Sequence, residues 1–143
     1  MHTIAPTTLG LTLALAASGV QAADVRVTLD NLKPDTGHLM VALYDSAQGF
    51  SEDKGAVEAI RKPVKGDSLV ITFTGIDDGE YAIAVFQDVN GDGELDTNLL
   101  GMPREPWGFS LDADGGMGPP DFTDAAFTVD GETVDMRIRL NRP

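Results

Sequence analysis

The stretch Asp88-Val89-Asn90-Gly91-Asp92-Gly93-Glu94-Leu95-Asp96 sets side-chain oxygens at alternate positions. Asp88, Asn90 and Asp92 fall at the first, third and fifth places of a calcium loop. Gly93 takes the sixth, where the chain must turn sharply. Glu94 takes the seventh, which offers its backbone carbonyl, and Asp96 the ninth. Calcium is a hard cation that gathers several oxygens at once, and alternate residues of a turning loop can aim at one point. Asp88, Asn90, Asp92, Glu94 and Asp96 are therefore the expected ligands of Ca2+. The helix–loop–helix pattern stops there. Its last place, where a bidentate Glu belongs, is Leu99, and Gly101-Met102-Pro103 soon follows. What remains is a calcium-type turn in a β context, with further ligands sought at Glu105, Asp112, Asp114 and Asp121. The competing reading is an acidic turn that binds nothing, because Asp, Asn and Gly favour turns in any case. Magnesium fits less well, since it prefers fewer carboxylates and more waters.

The segment after the loop, Pro103 to Ser110, holds the single Trp. Trp107 and Phe109 could stack on a sugar ring, with Arg104 and Glu105 supplying hydrogen bonds. The alternative, which large aromatics more often satisfy, is that both rings plug an open end of the fold. Catalytic constellations are scarce. There is no Cys, which excludes thiol chemistry and thiolate metal sites. His38 lies in a strand pattern, where a lone His is more often structural than a base. Carboxylates such as Asp88, Asp92 and Glu105 could do metal-assisted hydrolysis, but ion binding explains so crowded an acidic loop more simply.

These residues need a scaffold, and the flanking sequence specifies strands. Val25, Val27 and Leu29 alternate with polar residues, which marks a half-buried strand. Residues 38–44 are apolar on both parities and should run more centrally. Residues 68–74 alternate and are β-branched. A Gly-x-Tyr start introduces another strand over 81–87, with Tyr81 placed for a tyrosine corner. A short helical turn is expected within 52–60 and an edge strand near 62–65. Residues 125–129 and 133–140 predict a hairpin through Asp130-Gly131. Residues 88–123 show no sustained period, and a loop of that length is usually functional or disordered. The expected fold is all-β: an antiparallel sandwich of about seven strands, immunoglobulin-like or prealbumin-like, with one long loop that calcium would order.

Residues 1–22 carry no Asp, Glu, Lys or Arg, and Val20-Gln21-Ala22 closes an apolar run with a small-x-small pattern. That predicts a signal peptide over 1–22 and a domain over 23–143, in the periplasm or secreted. The apolar run is short for a membrane span, so no stable membrane insertion is expected after cleavage. The net charge of −13 argues against nucleic acid and against bare anionic surfaces. It suits divalent cations, basic partners or neutral sugars, and the expected partner is an extracytoplasmic protein or glycan.

Three stretches together carry a resemblance. They are Gly79-Glu80-Tyr81 to Phe86; Asp88 to Asn98 with Gly101-Met102-Pro103-Arg104-Glu105-Pro106-Trp107-Gly108-Phe109-Ser110; and Gly118-Pro119-Pro120-Asp121-Phe122 with Asp124-Ala125-Ala126-Phe127. Over essentially the whole of residues 23–143 the chain resembles an exported Gram-negative family, domain of unknown function 2141. The resemblance implies an exported β-sandwich and little about role. The family pattern usually has His before the first Asp of the loop, where this chain has Gln87. It often has a smaller or Tyr-like residue at Trp107. Asp88, Asn90, Asp92 and Asp96 keep the pattern. The chain is expected to be a non-enzymatic module, with a carbohydrate-binding module and a metal-assisted hydrolase as the alternatives.

Overall fold

A computed structural model describes residues 21–143, together with Gly10, Thr12 and Ala14. The signal-peptide expectation over 1–22 falls almost wholly outside the described residues. Among the described residues, no helix is long and apolar enough to cross a membrane.

Among the described residues, eight strands and two short helices follow in order: β1 (Ala23–Asp30), β2 (His38–Tyr44), α1 (Ala47–Glu52), β3 (Glu58–Pro63), β4 (Ser68–Ile76), β5 (Gly79–Asp88), β6 (Trp107–Phe109), α2 (Phe122–Ala125), β7 (Phe127–Val129) and β8 (Val134–Arg139). They form two sheets, β4-β1-β8 and β3-β2-β5-β6, and β7 also pairs with β5. Alternation decides which side chains turn inward. Val25, Val27 and Leu29 of β1 face Leu39, Val41 and Leu43 of β2 across a core that Phe73, Ile83 and Ile138 complete. Each such fully buried side chain contributes about 1.5–3 kcal/mol. The all-β sandwich is as expected, and β2 runs between β3 and β5 as its double-sided apolarity requires.

The outer face of the larger sheet carries a second, smaller core. Phe50 of α1 meets Tyr44, Phe109 and Phe122 edge-on, with ring centroids 5.8, 5.7 and 6.1 Å away. Ala82 and Ala125 lie buried beneath them. Small residues on the sheet let α1 and α2 approach closely.

Four expectations need correction. The sandwich is not wholly antiparallel, because β1 and β8 pair in parallel, Val25 with Val134 through Asp30 with Arg139. The hairpin through Asp130-Gly131 does not form. β7 pairs with the start of β5 and β8 joins β1 in the other sheet, so this turn crosses between sheets. That route lets Phe127 pack beside Tyr81, 6.4 Å between centroids, while Ile138 fills the core from the opposite side. The helical turn lies earlier, at Ala47–Glu52, capped by the Ser46 hydroxyl accepting from Gly49 N–H at 3.0 Å, and the edge strand spans Glu58–Pro63. Residues 88–123 are not one irregular loop, since they contain β6, a short turn at Ser110–Asp112 and the start of α2.

Tyr81 closes a tyrosine corner, its hydroxyl donating to the Asp77 carbonyl at 2.8 Å. The Tyr44 hydroxyl donates to the Asp53 carboxylate. Burial first, then the hydrogen bond and charge of Asp53, pushes the Tyr44 phenol above its ordinary value. Burial, then the charge of Asp77, does the same to Tyr81. A raised native value favours the protonated form. The associated stability is present below the ordinary tyrosine value of about 10 and is lost as pH climbs through the native values. Phenolate absorbance of the folded protein is therefore expected to stay flat through pH about 10 and to rise only with unfolding. Both tyrosines ionising near their ordinary value in an intact fold would contradict this packing.

Candidate functional site

β5 delivers the site. Its last residues, Gln87 and Asp88, are fully buried at the end of the larger sheet. Gln87 Oε1 accepts from Lys33 N–H at 2.8 Å, and its Nε2 donates to the carbonyls of Lys33 and Thr36 at 2.8 and 2.7 Å. The amide is thus satisfied by the β1–β2 turn, and the position works here as a clasp. Gly37 in that turn has φ +59, and a Cβ there would stand 2.0 Å from the Asp88 carbonyl oxygen. Only glycine allows the turn and the loop to touch.

Asp88 has no exposed surface, yet its carboxylate is matched. Oδ1 accepts from Gly91 N–H at 3.0 Å and Oδ2 from Gly93 N–H at 2.9 Å. Both glycines have positive φ, +75 and +79, which turns successive amides toward one anion. Glu105, 4 % exposed, does the same for the other arm of the loop. Its Oε1 accepts from Val89 N–H at 2.9 Å and its Oε2 from Asp96 N–H at 3.1 Å. Charge-assisted bonds of this kind offset the desolvation of a buried carboxylate. Asp88 and Glu105 spend all four oxygens on backbone amides, so the loop is scaffolded by its own protein groups.

The remaining oxygens gather on the outer side. Asn90 Nδ2 donates to Asp92 Oδ2 at 3.3 Å and to the Asp96 carboxylate. Asn90 Oδ1 accepts from Asp92 N–H at 3.3 Å, and Asp92 Oδ1 from Glu94 N–H at 2.9 Å. The Glu94 amide, above all, holds Asp92 below the usual carboxylate range. Asp96 is half-buried and shifts the other way. Desolvation first, then the hydrogen bond and charge of Asp92 and the charge of Glu105, raises it. Two carboxylates thus converge on one amide nitrogen. Among the described residues, no three His, Cys, Asp or Glu side chains form a group already set to hold a metal ion.

Two of the other proposed ligands are engaged elsewhere. Asp112 accepts from Arg139 N–H at 2.9 Å and Asp114 from Gly116 N–H at 2.8 Å, while Asp121 precedes α2 as its N-cap residue without a side-chain capping bond. The aromatic segment divides. Phe109 belongs to the second core against Phe50. Trp107 is half-buried on β6, in register with Phe86, which is in register with Met40. These three form a half-exposed row across adjacent strands. Arg104 has an exposed side chain, and its N–H donates to the Asp96 carbonyl at 2.7 Å. Sequence reasoning missed Phe86, Met40 and the clasp at Gln87, because register and cross-turn contacts leave no local pattern.

Glu105→Ala would strip the acceptor from two amides at once. The expected cost is about 2–6 kcal/mol, at roughly 1–3 kcal/mol for each unpaired group. A lower melting temperature should come with faster proteolytic nicking within residues 89–104. Unchanged melting and unchanged cleavage would show that this carboxylate does not hold the loop.

Comparison with known proteins adds one finding. A family model described as "Uncharacterized protein conserved in bacteria (DUF2141)" matches residues 27–137. Neither the curated proteins nor the solved structures contain a match to the chain. The matched span runs from β1 into β8 and so includes the sandwich, the acidic loop and the aromatic segment. The chain belongs to this bacterial family, domain of unknown function 2141.

Proposed function

We propose that the protein is an exported, non-enzymatic β-sandwich module that binds calcium at its acidic loop and engages a partner outside the cytoplasm. One observation carries the calcium reading: the Asp92 and Asp96 carboxylates converge on Asn90 Nδ2. A cation at that point would take both carboxylates and draw in the oxygen of Asn90. It would offset the desolvation of Asp96 and the charge of Asp92 and Glu105, which together raise that carboxyl. Asp88 and Glu105 hold the backbone, and the carbonyl of Glu94 is available as a further ligand. The export reading draws support from β1, which begins at Ala23, directly after the small-x-small sequence.

Calorimetric titration of metal-stripped protein with calcium should show saturable heat. The melting temperature should rise as expected for ligand linkage, about 2.7 kcal/mol at a hundredfold excess over Kd. Asp92→Asn and Asp96→Asn should each weaken binding. Because the Asp96 carboxyl is raised, it takes a proton first as pH falls. Affinity should therefore drop on acidification and binding should release protons. No heat and no thermal shift would remove calcium from the account.

A second reading rests on the row Met40–Phe86–Trp107. Neighbouring strands lie roughly 4.8 Å apart, so three side chains in register make a strip on which sugar rings could stack. A neutral oligosaccharide should then shift the fluorescence of the single Trp, and Phe86→Ala should abolish the shift. A silent Trp across a panel of glycans would dismiss this reading.

A further inference from the structure

The chain has four asparagines, and only Asn90 is followed by glycine. Asn31 and Asn98 precede leucine, and Asn141 precedes arginine. That neighbour decides how readily an asparagine loses its amide. The backbone nitrogen of the next residue attacks the side-chain carbonyl carbon. A side chain on that next residue crowds the ring that forms, and glycine carries none. Asn90 and Gly91 are both exposed, and a Cβ on Gly91 would meet nothing within 4 Å. Water and the ring both have room.

We propose that Asn90 is a deamidation site, held in check by the buried Asp88 carboxylate, whose conversion releases the acidic loop. The Gly91 nitrogen gives up its proton and bonds to Asn90 Cγ, the Cγ–Nδ2 bond breaks, and ammonia leaves. Water then opens the succinimide at either carbonyl, giving aspartate or isoaspartate. The net exchange is ammonia for water, with nothing oxidised or reduced. In the intact loop both reacting groups are occupied. Gly91 N–H donates to Asp88 Oδ1 at 3.0 Å, so an anion holds the proton that must leave. Asn90 Oδ1 accepts from Asp92 N–H at 3.3 Å, and its Nδ2 donates to the carboxylates of Asp92 and Asp96. Ring closure therefore waits for local opening of the loop. Afterwards the loop cannot close as before. The product has no N–H to offer, and it sets a third carboxylate where Asp92 and Asp96 already converge, so like charges repel. Isoaspartate also adds one carbon to the backbone, which displaces the Gly91 and Gly93 amides from Asp88. The change runs one way and stands apart from the calcium reading.

The test is peptide mapping by mass spectrometry of the metal-stripped protein, kept warm in mildly alkaline buffer, both folded and in urea. In urea, Asn90 should convert about tenfold or more faster than Asn31, Asn98 or Asn141, a gap of about 1.4 kcal/mol in barrier. In the folded protein it should convert more slowly, to aspartate and isoaspartate together, and nicking within residues 89–104 should rise with it. Asp88→Asn should speed the reaction of the folded protein. Asn90→Asp, which supplies one product directly, should lower the melting temperature and hasten nicking. No preference for Asn90 in urea, or no conversion in the folded protein, overturns the site. Equal rates folded and unfolded overturn the hold by Asp88, a comparison that needs no variant to fold. So does a folded Asp88→Asn protein that converts no faster than the native one. An Asn90→Asp protein that melts and is cleaved like the native one overturns the release.

Discussion

A buried carboxylate at the end of β5 is the constraint from which the rest of the site follows. Asp88 has no exposed surface, and among the described residues no positively charged side chain is hydrogen-bonded to it. Backbone amides hold both of its oxygens. That demands a backbone turning in the left-handed region at Gly91 and again at Gly93. The chain is thereby bent back over the end of the sheet. Glu105 repeats the device from the other side, taking the amides of Val89 and Asp96. Two acids thus stitch the two arms of the loop together, and Asn90, Asp92 and Asp96 are what is left facing out.

The sandwich supplies the rigidity that this arrangement requires. β5 pairs with β2 along one edge, while β7 and β6 share its other edge in succession. Gln87 ties the strand to the β1–β2 turn, and Gly37 lets that turn lie against the Asp88 backbone. A Cβ on Gly108 would stand 2.9 Å from Ile138, so β6 is pressed onto β8 of the opposite sheet as well. The loop is anchored on both sheets at once. A chain without disulfides gains order here from hydrogen bonds to buried charge.

What the sequence disclosed is what depends on local period. Val25, Val27 and Leu29 announce an inward face because side chains alternate in any strand. Tyr81 announces its corner through the glycine before it. Partner choice is another matter. Phe127, Val129 and Ile138 look the same whether β7 and β8 pair with each other or join opposite sheets, so the hairpin was a false expectation. The parallel β1–β8 pair was invisible for the same reason. In the acidic loop, residue spacing says where oxygens fall along the chain but not where they point. Asp88 is aimed at amides because Gly91 and Gly93 permit a nest, and that competing use of the pattern cannot be separated from ion binding by spacing. Phe109 and Trp107 read as a pair and are both half-buried, yet Phe109 packs against the second core while Trp107 lies in register with Phe86.

Buried Asp88 and Glu105 organise the loop through backbone amides. Amide hydrogen exchange of the metal-stripped protein, resolved by residue, reads this out. The amides of Val89, Gly91, Gly93 and Asp96 should exchange far more slowly than their exposed neighbours. Exchange of these four at the rate of an unstructured peptide would contradict it.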